Sequence, residues 1–117
     1  MHEYSIVSSL VDKVEAEARK AGATSVAALT VRIGELSGVD AGLLATAFDT
    51  FKEGTVCGGA RLDIERVPVE WKCPRCGAAP LAGGSLRCGP CERPMQLTAG
   101  DEILLAHLEL EVPDHVY

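Results

Sequence analysis

Four of the five cysteines stand in two C-x₂-C pairs, Cys73-Pro74-Arg75-Cys76 and Cys88-Gly89-Pro90-Cys91, with eleven residues between the pairs. A two-residue gap lets both sulfurs of a pair reach one ion from a single tight turn, at Zn–S distances of about 2.3 Å. Pro74, Gly77, Gly89 and Pro90 supply the turn conformations, since Pro presets φ and Gly accepts φ > 0. The spacing predicts a zinc ion held by Cys73, Cys76, Cys88 and Cys91. Disulfides are the competing reading, but Cys57 makes the cysteine count odd and the first residues do not resemble a signal peptide. Four thiolates close the coordination sphere, so this zinc is a folding device with no position for water or substrate. Such sites bind with about 10–16 kcal/mol, enough to order a loop rich in Gly, Pro and Ala.

The second candidate is the chain start. His2 places an imidazole one residue from an α-amine. The Met1 amine, the His2 amide nitrogen and the His2 ring nitrogen can close adjacent chelate rings on one metal, and Glu3 can add its amide or carboxylate. A flat nitrogen-rich set suits Ni²⁺ or Cu²⁺ better than Zn²⁺. The amine must lose its proton, with a reference pKa of about 7.7–8.0, so binding should weaken as pH falls. Taken alone, a histidine at position 2 is more simply an incidental solvated residue.

These residues need elements to hold them. Val7, Leu10, Val11, Val14, Ala18 and Ala21 form the stripe of an amphipathic helix over Tyr4 to Ala21, stopped by Gly22, with Met1-His2-Glu3 as a short free arm before it. Ser25 to Ile33 alternates as a half-buried strand with Leu29, Val31 and Ile33 on one side. Asp40 is a plausible N-cap for a second helix through Glu53, with an inner stripe of Leu44, Ala47, Phe48 and Phe51. A second strand carries Leu62 and Ile64 on one parity and Val67, Val69 and Trp71 on the other. That slip implies a bulge or bend near Arg66, and Pro68 implies an edge position. A third strand over Asp101 to Val112 places Leu104, Ala106, Leu108 and Leu110 on one face, with His107, Glu109 and Glu111 on the other. The expected fold is α+β: a small three-stranded sheet covered by two helices, with a zinc ribbon inserted between two strands. Residues 1–70, completed by the strand in 100–117, make the first domain, and residues 71–99 the zinc module.

The chain has 117 residues, 47% of them hydrophobic but only 4% aromatic, so its core must be aliphatic. No apolar run approaches the ~20 residues that span a bilayer, and the expected location is cytoplasmic, where thiols stay free for metal. Net charge is −6, which argues against a general nucleic-acid binder. The segment 71–99 is +3 (Lys72, Arg75, Arg87 and Arg93 against Glu92), leaving −9 on the other 88 residues. Four thiolates around one Zn²⁺ carry a formal −2, so much of that basic charge balances the site.

Met1-His2-Glu3-Tyr4-Ser5 before an amphipathic helix, the segment Arg32-Ile33-Gly34-Glu35-Leu36-Ser37-Gly38-Val39, and Cys73-Pro74-Arg75-Cys76-Gly77 with Cys88 and Cys91 together resemble the HypA/HybF family. These are nickel-insertion chaperones of hydrogenase maturation. The resemblance implies a transferable nickel ion at His2, with Met1 and Glu3 as co-ligands, and a structural zinc on the four paired cysteines. It also implies a HypB-type GTPase partner and delivery to the hydrogenase large subunit, some members also serving urease. The expected protein is a monomer or weak homodimer, is not an enzyme, and contacts neither nucleic acid nor membrane. Two departures are visible. The zinc module is short, and Ala41-Gly42 stands where a more polar helix start is expected, which favours an N-cap role for Asp40 over one near the nickel arm.

Other candidates read more plainly. His107 beside Glu109 fits a solvated sheet face, His115 a mobile terminus, and Cys57, just before Gly58-Gly59, a small buried or turn residue with no base in sight. There is no G-x-x-x-x-G-K-[ST] loop, so nucleotide hydrolysis must come from a partner. Two alternative functions are a zinc ribbon contacting nucleic acid or a protein, and a structural adaptor for the GTPase.

Overall fold

The computed structural model describes residues 2–81 and 84–113, with His2 placed by its backbone alone. Helix α1 (His2–Ala21) leads to strand β1 (Ser25–Gly34), helix α2 (Ala41–Phe51) and strand β2 (Arg61–Val67). The short strands β3 (Glu70–Lys72), β4 (Arg87–Cys88), β5 (Arg93–Pro94) and β6 (Gln96–Ala99) follow, and β7 (Ile103–Glu111) returns to the first sheet.

That sheet has the order β2-β1-β7, with β1 parallel to β2 and antiparallel to β7. Its inner face is built in rows: Leu62, Leu29 and Leu108 stand side by side across the three strands, then Ile64, Val31 and Leu105. The α1 stripe (Val7, Leu10, Val11, Val14) and the α2 stripe (Leu44, Ala47, Phe48) close over these rows in one core. Burying each Val or Leu in full contributes about 1.5–3 kcal/mol, and this aliphatic contact is what makes the two helices form. The open face carries Asp63, Thr30 and His107 in the next row, then Glu65 bonded to Arg32 at 3.1 Å.

Helix α2 starts where Asp40 was expected to cap it, with Asp40 Oδ1 accepting from Leu43 N at 3.0 Å. It stops at Phe51, two residues before the expected Glu53. Phe51, expected inside, is 38% exposed, because the chain turns away at the helix end before that side chain can reach the core. The expected single strand from Leu62 to Trp71 is two strands. Pro68 and Val69 interrupt it, so the parity slip marks the exit from the edge of the main sheet. Trp71 then packs against the cysteines in a separate cluster.

β7 corrects the expected pattern. The register pairs Thr30 with His107 but Val31 with Leu105, leaving Ala106 as the extra residue of a bulge. A bulge reverses the parity beyond it, so Leu105 takes the inward place and Leu104, paired with Arg32, is 40% exposed. Leu108 and Leu110 do face the core. A second bulge, at Ala27 of β1, explains why Val26 and Leu29 are both buried three residues apart.

Candidate metal sites

The zinc candidate stands on two small antiparallel pairs, β3 with β6 and β4 with β5, strands too short and polar to be seen in the sequence. Cys73 follows β3 directly, and Gly77 N donates to its carbonyl at 2.9 Å, Gly77 having φ +76°. Cys88 ends β4, and Cys91 lies in the turn to β5. There Glu92 N reaches Gly89 O at 3.3 Å and Glu92 itself has φ +51°. Each turn thus places one left-handed residue immediately after its second cysteine, a glycine in one and a glutamate in the other.

The four Sγ atoms lie within 4.8 Å of one another, and Cys76 and Cys88 are 3.7 Å apart. A tetrahedron with Zn–S bonds of about 2.3 Å has edges of about 3.8 Å, whereas a disulfide needs about 2.05 Å. The donor set fits zinc. Cys73 and Cys88 are buried, Cys91 half-buried and Cys76 exposed, with Trp71 and Met95 packed against the group.

Without metal the sulfurs compete for negative charge. The Cys76 and Arg75 backbone amides pull the Cys73 thiol down to about 6. Hydrogen bonding with Cys76, then burial and the nearby Cys73 charge, push Cys91 up to about 12. The Cys91 amide favours a Cys88 thiolate, but burial and hydrogen bonds from Cys76 and Cys73 outweigh it and leave Cys88 raised. Charge therefore settles on Cys73 before Cys88 and Cys91, and a divalent ion is what lets those two ionise.

A family model described as "Hydrogenase/urease nickel incorporation, metallochaperone, hypA" matches residues 1–110. The chain belongs to the HypA family. It is 40% identical to the hydrogenase maturation factor HypA of Wolinella succinogenes, over 97% of this chain and 98% of that protein. It is 43% identical to that of Aquifex aeolicus, over 96% and 99%. The solution structure of the Ni metallochaperone HypA from Helicobacter pylori superposes with a TM-score of 0.73 at 37% identity, over 95% of this chain and 98% of that one. A second HypA solution structure gives 0.80 at 38% identity, over 97% and 98%.

At the start of this HypA-family chain, the expected free arm is corrected for His2 and Glu3, and Met1 lies outside the described residues. Helix α1 begins at His2, so the His2 and Glu3 backbone is already the first helical turn. Glu3 favours this, since an acid in the first turn offsets the positive end of the helix dipole. The first amides of a helix have no acceptor within it, which leaves the His2 and Glu3 nitrogens outside the helical ladder. The Glu3 carboxylate lies at the start of α2, where Asp40 N points to its Oε2 at 3.5 Å. Nothing in the sequence signals this meeting of residues 37 apart.

His107 is exposed on the open sheet face, 3.8 Å from Glu109 Oε1. Cys57 is fully buried; burial and then the Glu15 charge raise its thiol against the Thr55 hydroxyl, so it is protonated and inert. His115 lies outside the described residues. Among the described residues the paired cysteines are the one group of three or more ligating side chains placed to hold an ion, and no helix is long and apolar enough to cross a membrane.

Proposed function

We infer that this chain is a nickel metallochaperone of hydrogenase maturation, with zinc on Cys73, Cys76, Cys88 and Cys91 as its structural ion. The observation that carries this is the family match over residues 1–110 together with a four-sulfur group of tetrahedral size. A closed zinc site has nowhere to exchange cargo, so nickel needs a different set of ligands. In our reading these are His2, the Met1 amine and Glu3.

The start of α1 supports that choice. A bare cation at a helix N-terminus meets the positive end of the dipole. Amides that shed their protons onto solvent become anionic donors instead, and Ni²⁺ accepts the flat geometry they impose. The Glu3 carboxylate already faces the start of α2, which leaves its amide as the donor nearer His2. Because these nitrogens lie outside the helical ladder, the turn can open to receive nickel and close again when a partner offers better ligands. That partner is a HypB-type GTPase, and the client the hydrogenase large subunit; the chain works in the cytoplasm as a carrier and not as an enzyme. The modules 1–70 with 100–117, and 71–99, divide the work between cargo and structure. A nucleic-acid role for the zinc ribbon is not favoured by any of the relatives.

Titrating Ni²⁺ into the tag-free, zinc-loaded protein tests the reading. One nickel per chain with the yellow, diamagnetic signature of a square-planar ion is expected, and His2→Ala should lose it while keeping zinc. Adding one residue before Met1 should abolish nickel uptake without loss of fold. Undiminished nickel affinity in that extended variant would overturn the N-terminal chelate.

A further inference from the structure

Among the described residues the zinc module buries almost no core of its own. Its cluster is Cys73, Cys88 and Met95, with Trp71 and Cys91 packed against it, and it is separate from the aliphatic cluster under α1 and α2. Cysteines of the four-sulfur group make up most of it, so the order of the module rests on the metal more than on apolar burial. Removing ligands therefore opens the module and leaves the α/β core closed.

The four ligand residues are not equally protected. Cys73 and Cys88 are 2% and 3% exposed and Cys91 is half-buried, whereas Cys76 is exposed. A thiol that coordinates a metal is held as its thiolate, and the thiolate is the form that peroxides oxidise. Cys76 combines that ionisation with access. A second sulfur stands beside it, since Cys88 Sγ at the end of β4 is 3.7 Å away. Cys57 has neither property, being fully buried and outside the group.

We propose that Cys76 is a peroxide-reactive site whose oxidation releases zinc and opens the module reversibly. The Cys76 thiolate attacks one oxygen of hydrogen peroxide. The S–O bond forms, the O–O bond breaks and hydroxide leaves, giving the sulfenic acid. The Cys88 thiolate then attacks the Cys76 sulfur, the S–S bond forms and the second oxygen leaves as hydroxide. Two thiolates lose two electrons in all, one peroxide gains them, and both hydroxides take protons from solvent. The sulfurs close from 3.7 Å to about the 2.05 Å of a disulfide. Cys73 and Cys91 remain, two donors where a structural zinc takes four, too few to keep the ion. The proposal rests on zinc being held by these four cysteines.

The test treats the full-length, zinc-loaded protein with a small excess of hydrogen peroxide. A chromophoric chelator follows zinc release. The emission of Trp71, the only tryptophan, reports on the module because this side chain packs against the cysteines. Zinc release, a red shift of that emission and a Cys76–Cys88 crosslink in a digest are expected to advance at one rate while the helical circular dichroism is kept. A dithiol reductant with added zinc should reverse all three. Cys76→His keeps four ligands, one now an imidazole, and should release zinc at least about tenfold more slowly because the accessible thiolate is gone. Cys57→Ala should match wild type. Where Cys76→His does not hold zinc, the sulfur first oxidised in wild type, read by mass spectrometry of early-quenched digests, decides alone. Wild-type release from Cys76→His, first oxidation at Cys57 or Met95, a crosslink other than Cys76–Cys88, or zinc retained under peroxide overturns the proposal and leaves the zinc reading standing. A wild-type chain that takes up no zinc overturns both.

Discussion

Replacing Gly34 by alanine tests how the zinc module is joined to the core. At the end of β1 the chain crosses the return into β7 so closely that a Cβ on Gly34 would stand 2.1 Å from the Gly100 carbonyl carbon and oxygen and 2.6 Å from Asp101 N. A Cβ on Gly100, itself at φ +109°, would stand 2.7 Å from Val69 Cα on the exit from β2. The crossing is stitched by Gly34 N to Glu102 O at 2.8 Å, Leu36 N to Gly100 O at 2.6 Å, and Glu35 N to Val67 O at 3.0 Å. All the obstructing atoms at Gly34 are backbone, so no rotamer change relieves the clash. The segments must part by about an ångström, breaking at least the first two bonds. Overpacking costs about 1–3 kcal/mol, two lost hydrogen bonds about 1–3 more, and the stiffer unfolded chain returns about 0.4–1. The expected net loss is about 1–6 kcal/mol, or very roughly 4–24 °C in Tm. Urea unfolding of the zinc-loaded protein measures it, with metal analysis to show that zinc stays bound, since Gly34 touches neither cysteine turn. Gly59→Ala, where a Cβ would meet nothing within 4 Å and φ is not positive, is the control and should change stability by under about 1 kcal/mol. A loss below 1 kcal/mol in Gly34→Ala would refute the close crossing.

Zinc affinity should fall steeply with acid. Above pH 6 Cys73 is already ionised, while Cys88 and Cys91 are raised and must each release a proton to bind metal. At least two protons leave, so apparent affinity should drop at least about 100-fold from pH 7 to pH 6, and more steeply below pH 6 as Cys73 protonates; competition against a chromophoric chelator reads the slope, and a drop under tenfold contradicts it. Asp40→Ala should cost about 0.5–2 kcal/mol by removing the acceptor for Leu43 N, and Asp40→Asn should restore most of it in the same unfolding assay. Glu92→Gly should stabilise the zinc-loaded form by about 1 kcal/mol, because glycine adopts φ +51° without a Cβ penalty and the bond from Arg87 Nη2 to the Glu92 carbonyl, 2.6 Å, needs no side chain; a destabilised variant would contradict this.

Much of this protein is written in short stretches of chain. The four clustered cysteines follow from two-residue gaps, because a single turn fixes where two sulfurs can go. The α1 stripe and the Asp40 cap follow from a 3.6-residue period and one side chain reaching three residues ahead. Cys57 was legible as a residue without a catalytic partner, though its burial was not separated from a turn position, and the slip before Pro68 showed that the chain must bend there, though not that it enters another sheet.

What tertiary structure alone decided depends on partners distant in the chain. The bulge at Ala106 arises from pairing with Thr30 and Val31, and it moved Leu104 out and Leu105 in against an alternation that looked regular in one dimension. The strand order β2-β1-β7, the crossing of Gly34 over Gly100, and the meeting of Glu3 with the start of α2 likewise join residues tens of positions apart. Periodicity and spacing report on atoms within a few residues of each other. Register, close approach of backbones and the placing of one helix end against another are set only when the core closes.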